Sequence, residues 1–317
     1  MQQRSDGAEV RERLPGTPSP AHRWHGADGV SIAGDSWGDP HGPLVVLLHG
    51  GGQTRHAWKG TGALLGAAGC YAIALDARGH GDSDWSSVGD YSPDVMVRDL
   101  QAVIAATGRP CTALIGASMG GVTSLIAAGE GMVNAEAVIL VDVVPQCAAD
   151  GVARIKAFMQ QKPEGFTSLQ EVADAIARYR APAGAAAAGP AASTQGLAKN
   201  LRAGADGRYH WHWDPRLLSV APDLAQRYKR LASSAQRLRM PVLLVRGARS
   251  DVVTDAGVVD FLGQCPHAEV VNVRDASHMV AGDQNDLFGA VAVAFLQRHL
   301  QTMEQAVGRT EAPRGLN

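Results

Sequence analysis

Six short runs, "PLVVLL", "CYAIAL", "CTALIG", "AEAVILV", "PVLLV" and "AEVVNV", are apolar at almost every position. A strand wetted on one face alternates apolar and polar residues, and these do not. Runs of this length, rich in branched residues, belong to strands covered on both faces, the pattern of a parallel sheet held between helices. A short strand within "GVSIAGDSWGD" precedes them. Between the runs lie helical stretches. "SPDVMVRDLQAVIAATG" opens on Ser-Pro, closes on Gly108, and places Val95, Leu100, Val103 and Ile104 on much of one face. "DLFGAVAVAFLQRHLQ" near the C-terminus reads the same way. Strands alternating with helices predict an α/β fold with a mostly parallel central sheet flanked by helices.

That rhythm breaks over 146–236, which reads as helices without strands: "GVARIKAFMQQ", "SLQEVADAIARYR", "TQGLAKNLR" and "DLAQRYKRLASSAQRL". The same stretch holds "APAGAAAAGPAAST", a low-complexity segment expected to be a mobile loop. An insert between the fourth and fifth apolar runs reads as a helical cap over the strand ends. The expected organisation is a flexible tail over 1–22, a core over 23–145 and 237–303, the cap over 146–236, and a second tail over 304–317. A chain of 317 residues has room for one large domain of this kind.

Composition narrows the function. The net charge of −2 gives no reason to expect a polyanion or a membrane surface as partner. Arginines are scattered, and no basic stripe with interleaved aromatics suggests nucleic acid. No apolar run approaches the ~20 residues of a membrane helix. The N-terminus has no apolar secretory segment, so the cytoplasm is the expected location. Cys70, Cys111, Cys147 and Cys265 lack CxxC spacing and read as free thiols.

The chemistry concentrates at Gly116-Ala117-Ser118-Met119-Gly120, a G-x-S-x-G pattern with a strand before it and a helix after it. Such a turn strains the serine backbone, and flanking glycines remove the side chains that would collide there. The helix N-terminus beyond favours developing negative charge. A serine nucleophile needs a base, and the base an orienting acid. His278 lies just past the sixth run and Asp251 just past the fifth. All three should meet at the carboxyl edge of the sheet, where α/β folds place ligands. "HGGGQTRHAW" follows the first run, and its glycines let the Gly51 amide pair with that of Met119 as an oxyanion hole. No G-K-[ST] follows those glycines and GxGxxG is not met, so a nucleotide site is not expected.

Taken together, "HGGG" at 49–52, "DARGHGDS" at 76–83, "GASMG" at 116–120, "GARSD" at 247–251 and "SHM" at 277–279 resemble the α/β-hydrolase superfamily. The likeness is to its capped branch of esterases, lactonases, cofactor-free haloperoxidases and epoxide hydrolases, and it covers most of the chain outside tail and cap. It implies the α/β-hydrolase fold with the cap between the sixth and seventh strands, and structural roles for Asp76 and Arg78. Epoxide hydrolases of this fold carry an aspartate at the elbow, so Ser118 favours attack on an acyl carbon. The resemblance favours Asp251 as the acid, through its "GARSD" loop. In some relatives the acid follows the earlier strand, where "VILVDVVP" offers Asp142, a residue that otherwise lines the pocket or holds the cap.

The expected activity is hydrolysis of a carboxylic ester or lactone through an acyl-enzyme on Ser118, without cofactor or metal. A perhydrolase or C–C bond hydrolase would use the same residues, and a small-molecule sensor on a hydrolase fold is the alternative of another class. Gly52, Trp58, Trp211, Trp213 and Met279 are candidate pocket residues. Alternation in "RYHWHWDPR" sets Tyr209, Trp211 and Trp213 on one side and His210 and His212 on the other, as cap core or an acyl-pocket wall. His210, His212 and Asp214 lack a second cluster to complete a metal site. The oligomeric state is left open by the sequence.

Overall fold

A computed structural model describes residues 12–181, 194, 196–219, 223–274, 276–278 and 288–299. Its strands, in chain order, are β1 (Glu12–Arg13), β2 (His22–His25), β3 (Ser31–Trp37), β4 (Leu44–Leu48), β5 (Tyr71–Leu75), β6 (Cys111–Ala117), β7 (Ala137–Val141), β8 (Leu201–Ala203), β9 (Tyr209–Trp211), β10 (Val242–Gly247) and β11 (Glu269–Val273). Eight of these form one sheet in the order β11-β10-β7-β6-β4-β5-β3-β2. The six apolar runs are its β4, β5, β6, β7, β10 and β11, all parallel, while β2 and β3 pair antiparallel at one edge. The strands β4, β6 and β7 are buried at every position, as their unbroken apolar runs require.

The α-helices are α1 (Lys59–Ala67), α2 (Pro93–Thr107), α3 (Met119–Gly129), α4 (Ala149–Gln160), α5 (Leu169–Arg180), α6 (Leu224–Arg237) and α7 (Asp255–Gln264). The expected boundaries of α2 hold for the expected reasons. Ser92 accepts from the Val95 N–H, Pro93 occupies the first turn, and Gly108 ends the helix at φ 66°. Residues 288–299 are helical as well.

Register decides where the chemistry can gather. Leu48 pairs with both Leu75 and Gly116, and Val141 pairs with both Ala117 and Val245. The carboxyl ends of five strands therefore lie level, and His49, Asp76, Ser118 and Asp142 each follow directly on a strand end.

The cap enters after the sixth strand of the large sheet and returns at the seventh, as expected. It is not purely helical. Helices α4 and α5 pack with a three-stranded sheet, β1-β8-β9, around buried Phe166, Trp211 and Trp213. Each such side chain contributes about 1.5–3 kcal/mol by burial. "TQGLAKNLR" was expected as a helix, but only Ala198–Asn200 turns before the chain extends into β8. The strand β1 comes from the segment expected to be a free tail. Arg13 in it reaches Asp82 at 3.1 Å.

Helix α6 sits with the core. Its Leu231 and Ala235 join the sheet's apolar cluster, and a side chain on Gly129 of α3 would run into the Ser234 carbonyl. The Ala/Gly/Pro segment over 182–193 and the tail over 304–317 lie outside the described residues.

Candidate active site

Ser118 sits between β6 and α3 with φ 44° and ψ −107°, a conformation costing about 1–3 kcal/mol for a non-glycine residue. The surroundings impose it. Ser118 N–H donates to the Val141 carbonyl at 3.0 Å and Gly120 N–H to the His49 carbonyl at 3.1 Å. The glycines are steric necessities: a Cβ on Gly116 would strike the Gly120 carbonyl, and one on Gly120 the Leu48 carbonyl. The strained turn lifts Ser118 to partial exposure at the first turn of α3.

His278 is buried at 4% exposure, and its Nδ1 bonds Asp142 Oδ2 at 2.6 Å. Asp142, itself at φ 49°, is gripped from two further sides. Gly247 N–H donates to Oδ1 at 3.2 Å and the Ser250 hydroxyl to Oδ2 at 2.7 Å. A carboxylate held by three donors fixes the imidazole with its proton on Nδ1, leaving Nε2 as an acceptor.

Asp251 was expected at that position and is elsewhere. Its Oδ2 lies 2.8 Å from Arg154 Nε on the cap helix α4, and the two side chains are 35% and 40% exposed. Arg154 in turn lies 5.0 Å over the Tyr179 ring of α5. The physical reason is distance along the chain. Asp142 is the first residue after β7 (Ala137–Val141), whereas Asp251 is the fourth after β10 (Val242–Gly247), with three residues between, and that length carries it outward to the cap. That offset was the available signal in the sequence. Ser250, by contrast, had none.

The structure joins His278 to Asp142, and among the described residues no hydrogen bond falls on the Ser118 hydroxyl. Catalytic contacts of this kind commonly tighten only with substrate. The Gly51 and Met119 amides also have no hydrogen-bond acceptor among the described residues, although both adjoin bonded positions. Gly50 N–H is taken by Gln53 Oε1 at 3.0 Å and Gly52 N–H by His80 Nε2 at 3.3 Å. Met159 of α4 stands over Gly51, its sulfur 3.7 Å from where a Cβ would project. The sequence offered no hint of that residue.

The remaining candidates divide. Gly52, at φ 75°, is buried beside His80. Trp58 is fully buried in the core cluster with Leu47 and Leu65. Trp211 and Trp213 stack at 4.8 Å in the cap core and, with Met159, line a cavity of about 290 Å³. Met279 lies outside the described residues. His210, His212 and Asp214 go to separate partners. His210 lies 3.7 Å from Asp206, His212 takes the Gly81 N–H at 2.8 Å, and Asp214 binds Tyr91 and Arg216. Among the described residues no helix is long and apolar enough to cross a membrane.

Below the glycine loop, His49, His80 and His212 form a buried row with ring centroids 5.1 and 5.7 Å apart. Burial pushes His80 down to about 3, and it lowers His49 and His212 too, so all three rings are neutral.

Residues 45–291 match the sequence profile of the alpha/beta hydrolase family. The chain is 30% identical over 264 residues to esterase Rv0045c of Mycobacterium tuberculosis, covering 80% of this chain and 82% of that protein. It is 28% identical over 265 residues to a 3-hydroxybutyrate-oligomer hydrolase of Cupriavidus necator, covering 78% and 86%. Among solved structures, the crystal structure of E-2-(acetamidomethylene)succinate hydrolase superposes with a TM-score of 0.70 at 20% identity, covering 88% of this chain and 98% of the other. At that identity the likeness concerns the fold alone.

Proposed function

The chain belongs to the alpha/beta hydrolase family, and from that premise we propose that it hydrolyses a carboxylic ester or lactone through an acyl-enzyme on Ser118. The observation that carries this reading is the His278–Asp142 pair at 2.6 Å, on the sheet edge where the strained Ser118 stands. Esterase activity in a relative covering four-fifths of the chain supports the same reaction class.

In this mechanism His278 Nε2 takes the Ser118 proton as Oγ bonds to the carbonyl carbon. Asp142 holds the ring through Nδ1–H and stabilises the imidazolium. The carbonyl oxygen, now anionic, receives the Gly51 and Met119 N–H groups. Collapse expels the alkoxide, which takes the proton from His278. Water, deprotonated by the same nitrogen, then attacks the acyl carbon and frees the acid and Ser118. The acid is Asp142, and Asp251 serves the cap.

Fluorophosphonate labelling followed by peptide mass spectrometry tests the nucleophile, alongside a panel of p-nitrophenyl esters and lactones. The expected result is an adduct on Ser118 and turnover that Ser118→Ala lowers by on the order of 10⁶. Undiminished turnover in that variant would reject the mechanism.

A further inference from the structure

We propose that His212, a residue of the cap, is a positioning residue for the reaction: together with His80 it holds Gly52 from both sides and so aims the adjoining Gly51 amide at the substrate oxygen. This rests on the oxyanion role assigned to Gly51 above.

The argument begins with protons. Gly81 N–H donates to His212 Nδ1 at 2.8 Å, so the proton of the neutral ring is on Nε2, which faces the Gly52 carbonyl at 3.4 Å. Gly52 N–H donates to His80 Nε2 at 3.3 Å, which leaves the His80 Nδ1 proton for the Arg78 carbonyl at 3.2 Å. The same logic holds one peptide earlier. Ala77 N–H donates to His49 Nε2 at 3.0 Å, and His49 Nδ1–H reaches the Gly50 carbonyl at 2.8 Å. Three imidazoles thus bind the backbone on either side of Gly51 and leave its own N–H open.

His80 and His49 come from the core, but His212 arrives from the cap, directly after β9. The Arg202 guanidinium from β8 binds the Gly81 carbonyl and reaches Asp82 at 3.0 Å, so the cap sheet grips the loop that supports His80 as well. A glycine at φ 75° has no side chain to anchor it, and the imidazoles supply that anchor. Rigid donors placed before the reaction are what make an oxyanion hole effective. Seating of the cap and readiness of the hole are therefore one event, because the same ring belongs to both.

The two ring nitrogens have different partners, which permits a selective test. His212→Asn keeps an acceptor near Nδ1 for Gly81 and loses the donor to Gly52. His212→Gln keeps a donor near Nε2 and loses the acceptor. Steady-state kinetics on a p-nitrophenyl ester, the affinity of an alkylboronic acid that forms a tetrahedral adduct on Ser118, and Tm would be measured for both and for the unaltered protein. The Asn variant should lose about 10–100-fold in kcat and a similar factor in boronate affinity, with KM within about threefold. The Gln variant should recover most of that loss. Should His212→Asn fail to fold, His80→Asn removes the acceptor for Gly52 N–H and carries the same expectation. Equal losses in the Asn and Gln variants that follow Tm, or full kcat in His212→Asn, would overturn the inference. Absence of turnover and of a Ser118 adduct in the unaltered protein would instead defeat the underlying reading, and this one with it.

Discussion

Asp142 and Asp251 stand beyond the ends of adjacent parallel strands, and they have opposite surroundings. Asp142 is 6% exposed and receives the Gly247 amide, the Ser250 hydroxyl and the His278 ring. Asp251 keeps 35% of its side chain in solvent and meets one arginine of the cap. The residue type is the same. A buried carboxylate with several donors is preorganised to hold an imidazolium, whereas a partly exposed ion pair is screened by solvent and holds its partner weakly. Which strand end carries the acid is a matter of reach, and one strand's difference reassigns the other aspartate to the cap.

The strongest way to break this comparison is to neutralise each carboxylate in turn. Asp142→Asn should lower kcat by about 10³–10⁴-fold, because the ring loses the acceptor that fixes its tautomer. If Asp251→Asn showed that loss and Asp142→Asn did not, the assignment would be reversed.

Next in size is a contrast between the buried floor of the site and its wet rim. The unfolded chain protonates His80 near the ordinary 6.5, while the folded ring stays neutral down to about 3. Between those values the unfolded state holds more protons, so stability is full above pH 6.5 and falls as pH drops below it. From pH 6.5 to 5.0, His80 alone should remove about 2 kcal/mol. Urea midpoints at the two pH values measure this, and His80→Gln should flatten the slope; an unchanged slope would place the acid sensitivity elsewhere.

Ser250→Ala sharpens the comparison from within the Asp142 cluster. It deletes one bond to a charged acceptor and should cost about tenfold in kcat with KM nearly unchanged. A larger rise in KM than fall in kcat would mean that Ser250 contacts substrate rather than the acid. The smallest effect belongs to the rim. Asp251→Asn should change kcat by no more than about threefold and stability by ~0–1 kcal/mol, read from initial rates and chemical melts.

The sequence on its own determined the strands of the parallel sheet, the helix over Pro93–Thr107, the elbow at Ser118 and the place of the cap in the chain. Each is written in residues a few positions apart. Apolar runs bury both faces of a strand, Ser-Pro and glycine set the ends of a helix, and glycines clear the space around a strained turn. Three-dimensional packing decided the rest. It brought Asp142 rather than Asp251 to His278, joined Glu12–Arg13 to the cap sheet, drew α6 onto α3, and sank Trp58 into the core. His212 and Gly52 are 160 positions apart and meet only when the cap is seated. Local rules act through backbone sterics and periodic burial, which a short stretch of chain contains. Pairings between distant side chains depend on register, strand order and reach, and those exist only once the chain has closed on itself.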